Sequence, residues 1–304
     1  MVRTGIAIGL IFSFISAIFD VYVAFVTQVL STLLVIFYCF TASTVFFAAC
    51  AFRRKANVLF SKLADSWWLV IIVNVSVLMN WGGLFYALRY LEPAVVGVAS
   101  VACGPALTLI IVLAKKKRSA KVAFIDALVS CLVLISVGIM LFNSFAGDSG
   151  IATTAVEQRL LGIASVLVCA VGTVMYTVFS KELFARQWSV YETLAVRNVA
   201  MIGVCLIAIP AAGESFVLDS NLILPMIILV AVGHLLPIYL IQKTIYCLTP
   251  IHVSLVLLTL PVFVLLLQYF DARVEFSIAS VTAVGIIVFL LLGRALFALR
   301  REAT

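Results

Sequence analysis

Apolar residues in this chain run in long blocks, without the stripes of an amphipathic surface helix or the alternation of a half-buried strand. Ten blocks can be drawn, at about 5–27, 31–52, 67–90, 93–114, 122–143, 159–181, 189–211, 222–246, 250–270 and 276–298. Each is close to the roughly 20 residues that a helix needs to cross the hydrocarbon core of a bilayer. The pattern predicts an all-α membrane protein of ten transmembrane helices joined by short polar segments.

Two stretches echo each other. Leu88 to Arg118 and the segment from Ile245 onward align at an offset of 157 residues. In both, a tight turn (Leu91-Glu92-Pro93, Leu248-Thr249-Pro250) opens an apolar run that a proline, Pro105 or Pro261, then interrupts. A proline inside a helix frees a carbonyl and kinks the rod. A bilayer tolerates that where protein or a water-filled cavity satisfies the freed groups. Gly5-Ile6-Ala7 and Gly162-Ile163-Ala164 repeat the same offset. The expectation is a duplication, with five spans in residues 1–147 and five in 148–304. An odd number of spans per half inverts the second half relative to the first. Inverted repeats are typical of secondary transporters, whose substrate site lies near the midplane between the repeats.

Composition strengthens the membrane reading. The 304 residues are 65% hydrophobic and 11% charged, with a mean hydropathy of +1.28; soluble domains carry roughly 25% charged residues. The net charge of +7 invites an anionic partner, but the basic residues cluster in alternate loops. With the N-terminus inside, sixteen of the twenty Lys and Arg are cytoplasmic, three (Arg89, Arg159, Arg273) are outside, and Arg197 falls within a span. That is the positive-inside pattern. Both termini are therefore expected in the cytoplasm, and no nucleic-acid partner is expected. The run Lys115 to Arg118 reads as an orientation signal against anionic headgroups. No small-residue cleavage site follows the first block, which argues against a cleaved signal peptide. The expected compartment is a bacterial inner membrane. The seven cysteines sit in or beside apolar blocks without CxxC spacing, so they read as packing residues. No metal and no cofactor is implied.

The ten spans, the repeated turns (Ala87-Leu88-Arg89-Tyr90-Leu91-Glu92-Pro93 in the first half) and the mid-helix prolines resemble the drug/metabolite transporter superfamily in its EamA-type branch. That family usually carries Gly-Glu and a small hydroxyl residue near the ends of its fourth and ninth spans. The second half has a version, Val274-Glu275-Phe276-Ser277, whereas the first half reads Lys115-Lys116-Lys117-Arg118-Ser119. The resemblance implies a transporter, mostly of the exporter kind, without naming a cargo.

Asp20 is the carboxylate deepest inside a block, and Ser13, Ser16, Asp20 and Thr27 fall on one helical stripe. A charge at a helix centre costs about 2.5–3.5 kcal/mol on insertion scales and commonly marks an ion or substrate path. The bland alternative is a protonated aspartate bonded to a neighbouring helix. Arg197 either snorkels to the cytoplasmic side or faces a cavity, where it would bind a carboxylate or phosphate or pair with Asp20. Glu192, one turn nearer the cytoplasm, reads as interfacial. His234 carries protons near neutral pH or sits neutral and hydrogen-bonded between helices, with Gln242 two turns on. Asn80 and Trp81, with Tyr38 and Tyr176, offer the amide-and-aromatic surface of a small-molecule pocket, though each alone is more often packing. Gly97, Ser100, Gly104 and Thr108 form a small-residue stripe for close packing of the fourth span on its counterpart. Gly104, Pro105 and Pro261 are the hinge candidates.

These observations predict a secondary active transporter, an exporter of small metabolites such as amino acids, working by alternating access with a proton as candidate coupling ion. Its site would draw on Asp20, Tyr38, Asn80, Trp81, Ser100, Tyr176, Arg197 and His234. Its partners would be a small-molecule substrate, the lipid bilayer and the coupling proton, and a homodimer is compatible with the chain. The alternative cargo is a lipophilic cation, as in multidrug efflux. An intramembrane enzyme is disfavoured, because the spans contain no HExxH, no GxSxG and no carboxylate pair.

Overall fold

The computed structural model describes residues 2–102, 120–147, 150–151, 154–257, 259–270, 274–275 and 278–302. Gly104, Pro105 and the basic run 115–118 lie outside them. The helices are α1 (Val2–Val29), α2 (Thr32–Val77), α3 (Gly83–Tyr90), α4 (Pro93–Ala102), α5 (Ala120–Ala146), α6 (Val156–Ala185) and α7 (Val190–Val196). They continue with α8 (Val199–Ala211), α9 (Ser220–Ile228), α10 (Leu236–Cys247), α11 (Pro250–Leu257), α12 (Thr259–Gln268) and α13 (Ile278–Glu302). Two two-residue strands, Gly150–Ile151 and Val274–Glu275, pair antiparallel.

Among the described residues, seven stretches are long and apolar enough to cross a membrane: Arg3–Val29, Thr32–Arg53, Leu59–Tyr90, Leu128–Ala146, Val156–Ala185, Val190–Ala211 and Ser220–Cys247. Three shorter apolar helices, Pro93–Ala102, Thr259–Gln268 and Val281–Leu290, fall in the remaining blocks. Large apolar side chains face outward along them; Ile207 is 75% and Phe289 77% exposed. Backbone polar groups in hydrocarbon must be paired within the segment, which a helix achieves. The chain is a multi-pass, helical, integral membrane protein.

Several features depart from a plain reading of the blocks. The expected loop between the second and third blocks is helical, so α2 is continuous over 46 residues. A straight helix would carry Phe40 about 60 Å from Trp81 at ~1.5 Å per residue, yet their rings are 5.9 Å apart. The helical chain therefore doubles back on itself. The seventh block is not one helix: α7 ends at Val196, Arg197 and Asn198 form a turn, and α8 begins at Val199. Neighbouring amides occupy this break. Asn74 donates to the Val196 carbonyl and accepts from the Ala200 N–H, at 2.9 and 3.0 Å, while Asn198 donates to Ser43 and Thr44, both at 3.2 Å. Finally, the third and eighth blocks each contain a π-helical segment, Leu78–Gly82 and Leu229–Leu235.

Helix α6 packs closely on α3 and on the π-helical segment ahead of it. A Cβ on Gly83 would stand 2.5 Å from the Ser165 carbonyl, and one on Gly172 would stand 2.4 Å from the Asn80 amide nitrogen. The two tight turns are used reciprocally. Gly5 of α1 packs on Cys247 and Leu248, and Gly162 of α6 packs on Tyr90 and Leu91. Helices α5 and α13 pack on each other.

Candidate functional site

A cavity opens among α1, the π-helical segment Leu78–Gly82, α3, α4, α6, α10, α11 and α12. Of its sixteen lining residues, eight come from residues 1–147 and eight from 148–304. Ten of the sixteen fall into five pairs separated by 157 positions: Phe12 with Cys169, Ser16 with Thr173, Asp20 with Thr177, Leu84 with Ile241, and Ser100 with Leu257. The same helical faces of the two halves therefore meet at this space.

Asp20 lines the cavity and is 1% exposed, with Oδ1 buried and, among the described residues, without a hydrogen-bond partner. Its stripe mates Ser13, Ser16 and Thr27 are all buried. Burial is expected for a polar stripe that must avoid lipid. Asn80 lines the opposite side, where its Oδ1 accepts from the Thr173 hydroxyl at 3.1 Å and from the Cys169 thiol at 3.5 Å. Trp81 joins an aromatic cluster with Phe19, Phe40 and Phe85. Ser100 sits on α4, its hydroxyl donating to the Gly97 carbonyl at 3.2 Å. Gly97 faces α12, where an added Cβ would lie 3.6 Å from Val264 and 3.9 Å from Pro261.

The turn ahead of Pro261 is served by hydroxyl groups. The Val256 carbonyl accepts from Thr259 at 2.7 Å and, more weakly, from Ser13 at 3.4 Å. At the other end of α12, Gln268 accepts from the Ala94 N–H at 2.9 Å and donates to buried Glu92. These contacts bind α4 to α12 beside the cavity.

The remaining candidates lie elsewhere. Tyr38 is not among the lining residues, and its hydroxyl donates to the Phe216 carbonyl. Arg197 does not snorkel: it is fully buried, donates to the Tyr176 hydroxyl and to Gln242, and stacks on the Tyr176 ring at 4.9 Å. No ion pair joins it to Asp20 among the described residues. Arg197 stands in the turn after Val196, where its side chain is held among buried partners. His234 is also fully buried, and among the described residues neither ring nitrogen has a hydrogen-bond partner. It packs against Phe40, Trp81 and Phe19, with ring centroids 4.5, 5.4 and 6.2 Å away. Glu192 caps α7 through Ser189 and takes an ion pair from Lys62 at 2.9 Å.

Thr173 and Thr177, which line the cavity 157 positions after Ser16 and Asp20, carry no local signal of their own; the offset is the one clue to them. Glu92 was read as a turn residue, and nothing local to it announces its partner 176 positions away.

No family model matches the chain, and no curated protein matches its sequence. Ten chains of solved structures match. One, described as a crystal structure of a protein, aligns over 97% of this chain and 98% of its own with a TM-score of 0.63 and 18% identity. At that identity the likeness is one of fold.

Proposed function

We propose that the chain is a secondary active transporter of the drug/metabolite transporter type. It would be built as ten spans in a 5+5 inverted repeat with both termini in the cytoplasm, and would reside in a bacterial inner membrane. It exports small metabolites such as amino acids by rocking the two halves about the central cavity. The observation that carries this reading is the cavity itself: a space to which described residues of both halves contribute, ten of them at positions 157 apart, with the carboxylate of Asp20 buried in its wall. A lone carboxylate in such a wall is suited to take a proton from one side and release it to the other, which makes a proton the coupling ion. The reciprocal use of Gly5 on Leu248 and Gly162 on Leu91 supports the inverted repeat.

A second cargo has a specific observation in its favour. Beside Asp20 the lining offers Phe12, Trp81 and Tyr176, an anion among aromatic faces, which attracts lipophilic cations. The two cargoes separate in proteoliposomes given labelled amino acids or a lipophilic cation, with and without an inward-acid gradient. Amino-acid flux driven by the gradient and abolished in Asp20→Asn is the expected result. Cation flux alone would establish the efflux reading. Gradient-driven flux unchanged in Asp20→Asn would remove Asp20 from the coupling role.

A further inference from the structure

The second half places three polar residues where the first half places three phenylalanines. Tyr176, Arg197 and Gln242 stand 157 positions after Phe19, Phe40 and Phe85. The phenylalanines pack edge to face, with centroids 5.8 Å apart for Phe19 and Phe85 and 6.4 Å apart for Phe40 and Phe85. The polar trio is joined by hydrogen bonds: Nη1 of Arg197 donates to the Tyr176 hydroxyl and, at 3.4 Å, to Oε1 of Gln242. A frame that closes on an aromatic trio in one half has no packing need for a guanidinium at the matching place in the other.

The donors left over indicate what the guanidinium is for. Arg197 is 0% exposed, and among the described residues its Nε and Nη2 are buried without hydrogen-bond partners, as is Nε2 of Gln242. Among the described residues no carboxylate pairs with Arg197, and Glu192, the nearest acid along the chain, is engaged by Lys62. A buried cation without a counter-charge is strongly disfavoured. The Nε–Nη2 edge is a two-donor edge of the kind that grips a carboxylate through parallel hydrogen bonds. The break that places Arg197 also starts α8 two residues later, adding the partial positive charge of a helix N-terminus to the same region. Tyr176 lines the cavity and Arg197 stacks behind it, so the cluster stands one side chain behind the cavity wall.

We infer that Arg197, with Gln242 and Tyr176, forms a binding site for a small monoanion of carboxylate size, reached from the cavity past the Tyr176 ring. One guanidinium balances one negative charge, whereas a dianionic phosphate would bring a second charge with no cation to meet it. The monoanion is either the carboxylate of the transported solute or an inorganic ion such as chloride. The purpose of the site rests on the carrier reading, but its occupancy can be measured without transport.

The test uses the full chain, purified in detergent and held in a buffer whose anion is a bulky sulfonate. It is titrated with sodium acetate and, separately, with sodium chloride, while binding heat and the unfolding midpoint are followed. Wild type should respond saturably to acetate, and Arg197→Gln should not. Arg197→Lys keeps the charge but loses the fork, and its affinity should fall about tenfold or more. The triple variant Tyr176→Phe/Arg197→Phe/Gln242→Phe rebuilds the first half's trio; it should fold and show no anion response, which covers the case in which Arg197→Gln fails to fold. Acetate without chloride assigns the site to a solute carboxylate, and chloride binding at least as strong as acetate assigns it to an inorganic ion. No saturable response to either salt from folded wild type, or a response that survives in Arg197→Gln, overturns the proposal. Anion binding in a protein that moves no solute would sink the carrier and keep the site. Flux untouched by Arg197→Gln would keep the carrier and sink the site as a solute anchor.

Discussion

At positions 157 apart, the two halves of this molecule share a frame and differ in what they place inside it. Both contribute the same helical faces to the cavity, and both carry a π-helical segment in the span that holds their aromatic or histidine residues. The first half fills the space behind the wall with Phe19, Phe40 and Phe85 and puts its charge, Asp20, in the wall. The second half puts neutral Thr177 in the wall and buries its charge, Arg197, behind it. The comparison teaches that the frame tolerates either an aromatic or a polar filling. Where a polar filling is chosen, the reason is to be sought in chemistry.

The comparison breaks most readily at the aromatic trio. Phe85→Ala should destabilise the protein by about 3–5 kcal/mol, because the ring leaves a cavity that its neighbours cannot collapse into; denaturation of the detergent-solubilised protein measures it, and a loss below about 1 kcal/mol would mean the trio is not core. The converse change in the second half, the triple phenylalanine variant, should leave stability unchanged or raise it by about 1–4 kcal/mol, as apolar replacement of buried charge commonly does. A large loss there would show that the polar trio holds the fold together, and the comparison would fail. Gly172→Ala should cost about 1–3 kcal/mol by forcing a Cβ into the Asn80 backbone. Its control, Gly138→Ala on α5, meets nothing within 4 Å and should gain about 0.5–1 kcal/mol from helix propensity. Equal effects at the two glycines would contradict the close α3–α6 approach. The smallest effect is expected at the ion pair between the halves, where Lys62→Ala should cost about 1 kcal/mol or less, since Lys62 and Glu192 keep 23% and 15% of their side chains in contact with solvent.

Much of the fold was legible because lipid is an undemanding judge of sequence. Long apolar blocks report crossing helices by length alone, and Asp20 was conspicuous as a charge where none is cheap. The cavity was partly legible: Asp20, Asn80, Trp81, Ser100 and Tyr176 do line it, while Tyr38, Arg197 and His234 do not. Hydropathy gives the depth of a residue in a block but not the direction of its side chain. Nor does it reveal a break between helices met by polar neighbours from another span, as the one between α7 and α8 is by Asn74, Ser43 and Thr44 of α2.

By itself, the sequence determined that the chain lives in a membrane, roughly where its helices lie, and that its halves echo at an offset of 157. Those properties are local or periodic, and the free energy behind them, the transfer of whole apolar segments out of water, is summed along the chain without reference to fold. Only the tertiary structure decided that Ser16 and Asp20 share a cavity with Thr173 and Thr177, and that Arg197 stacks on Tyr176 with two donors unspent. These depend on which faces of distant helices meet, and a polar group's environment is set by those neighbours rather than by its place in the chain.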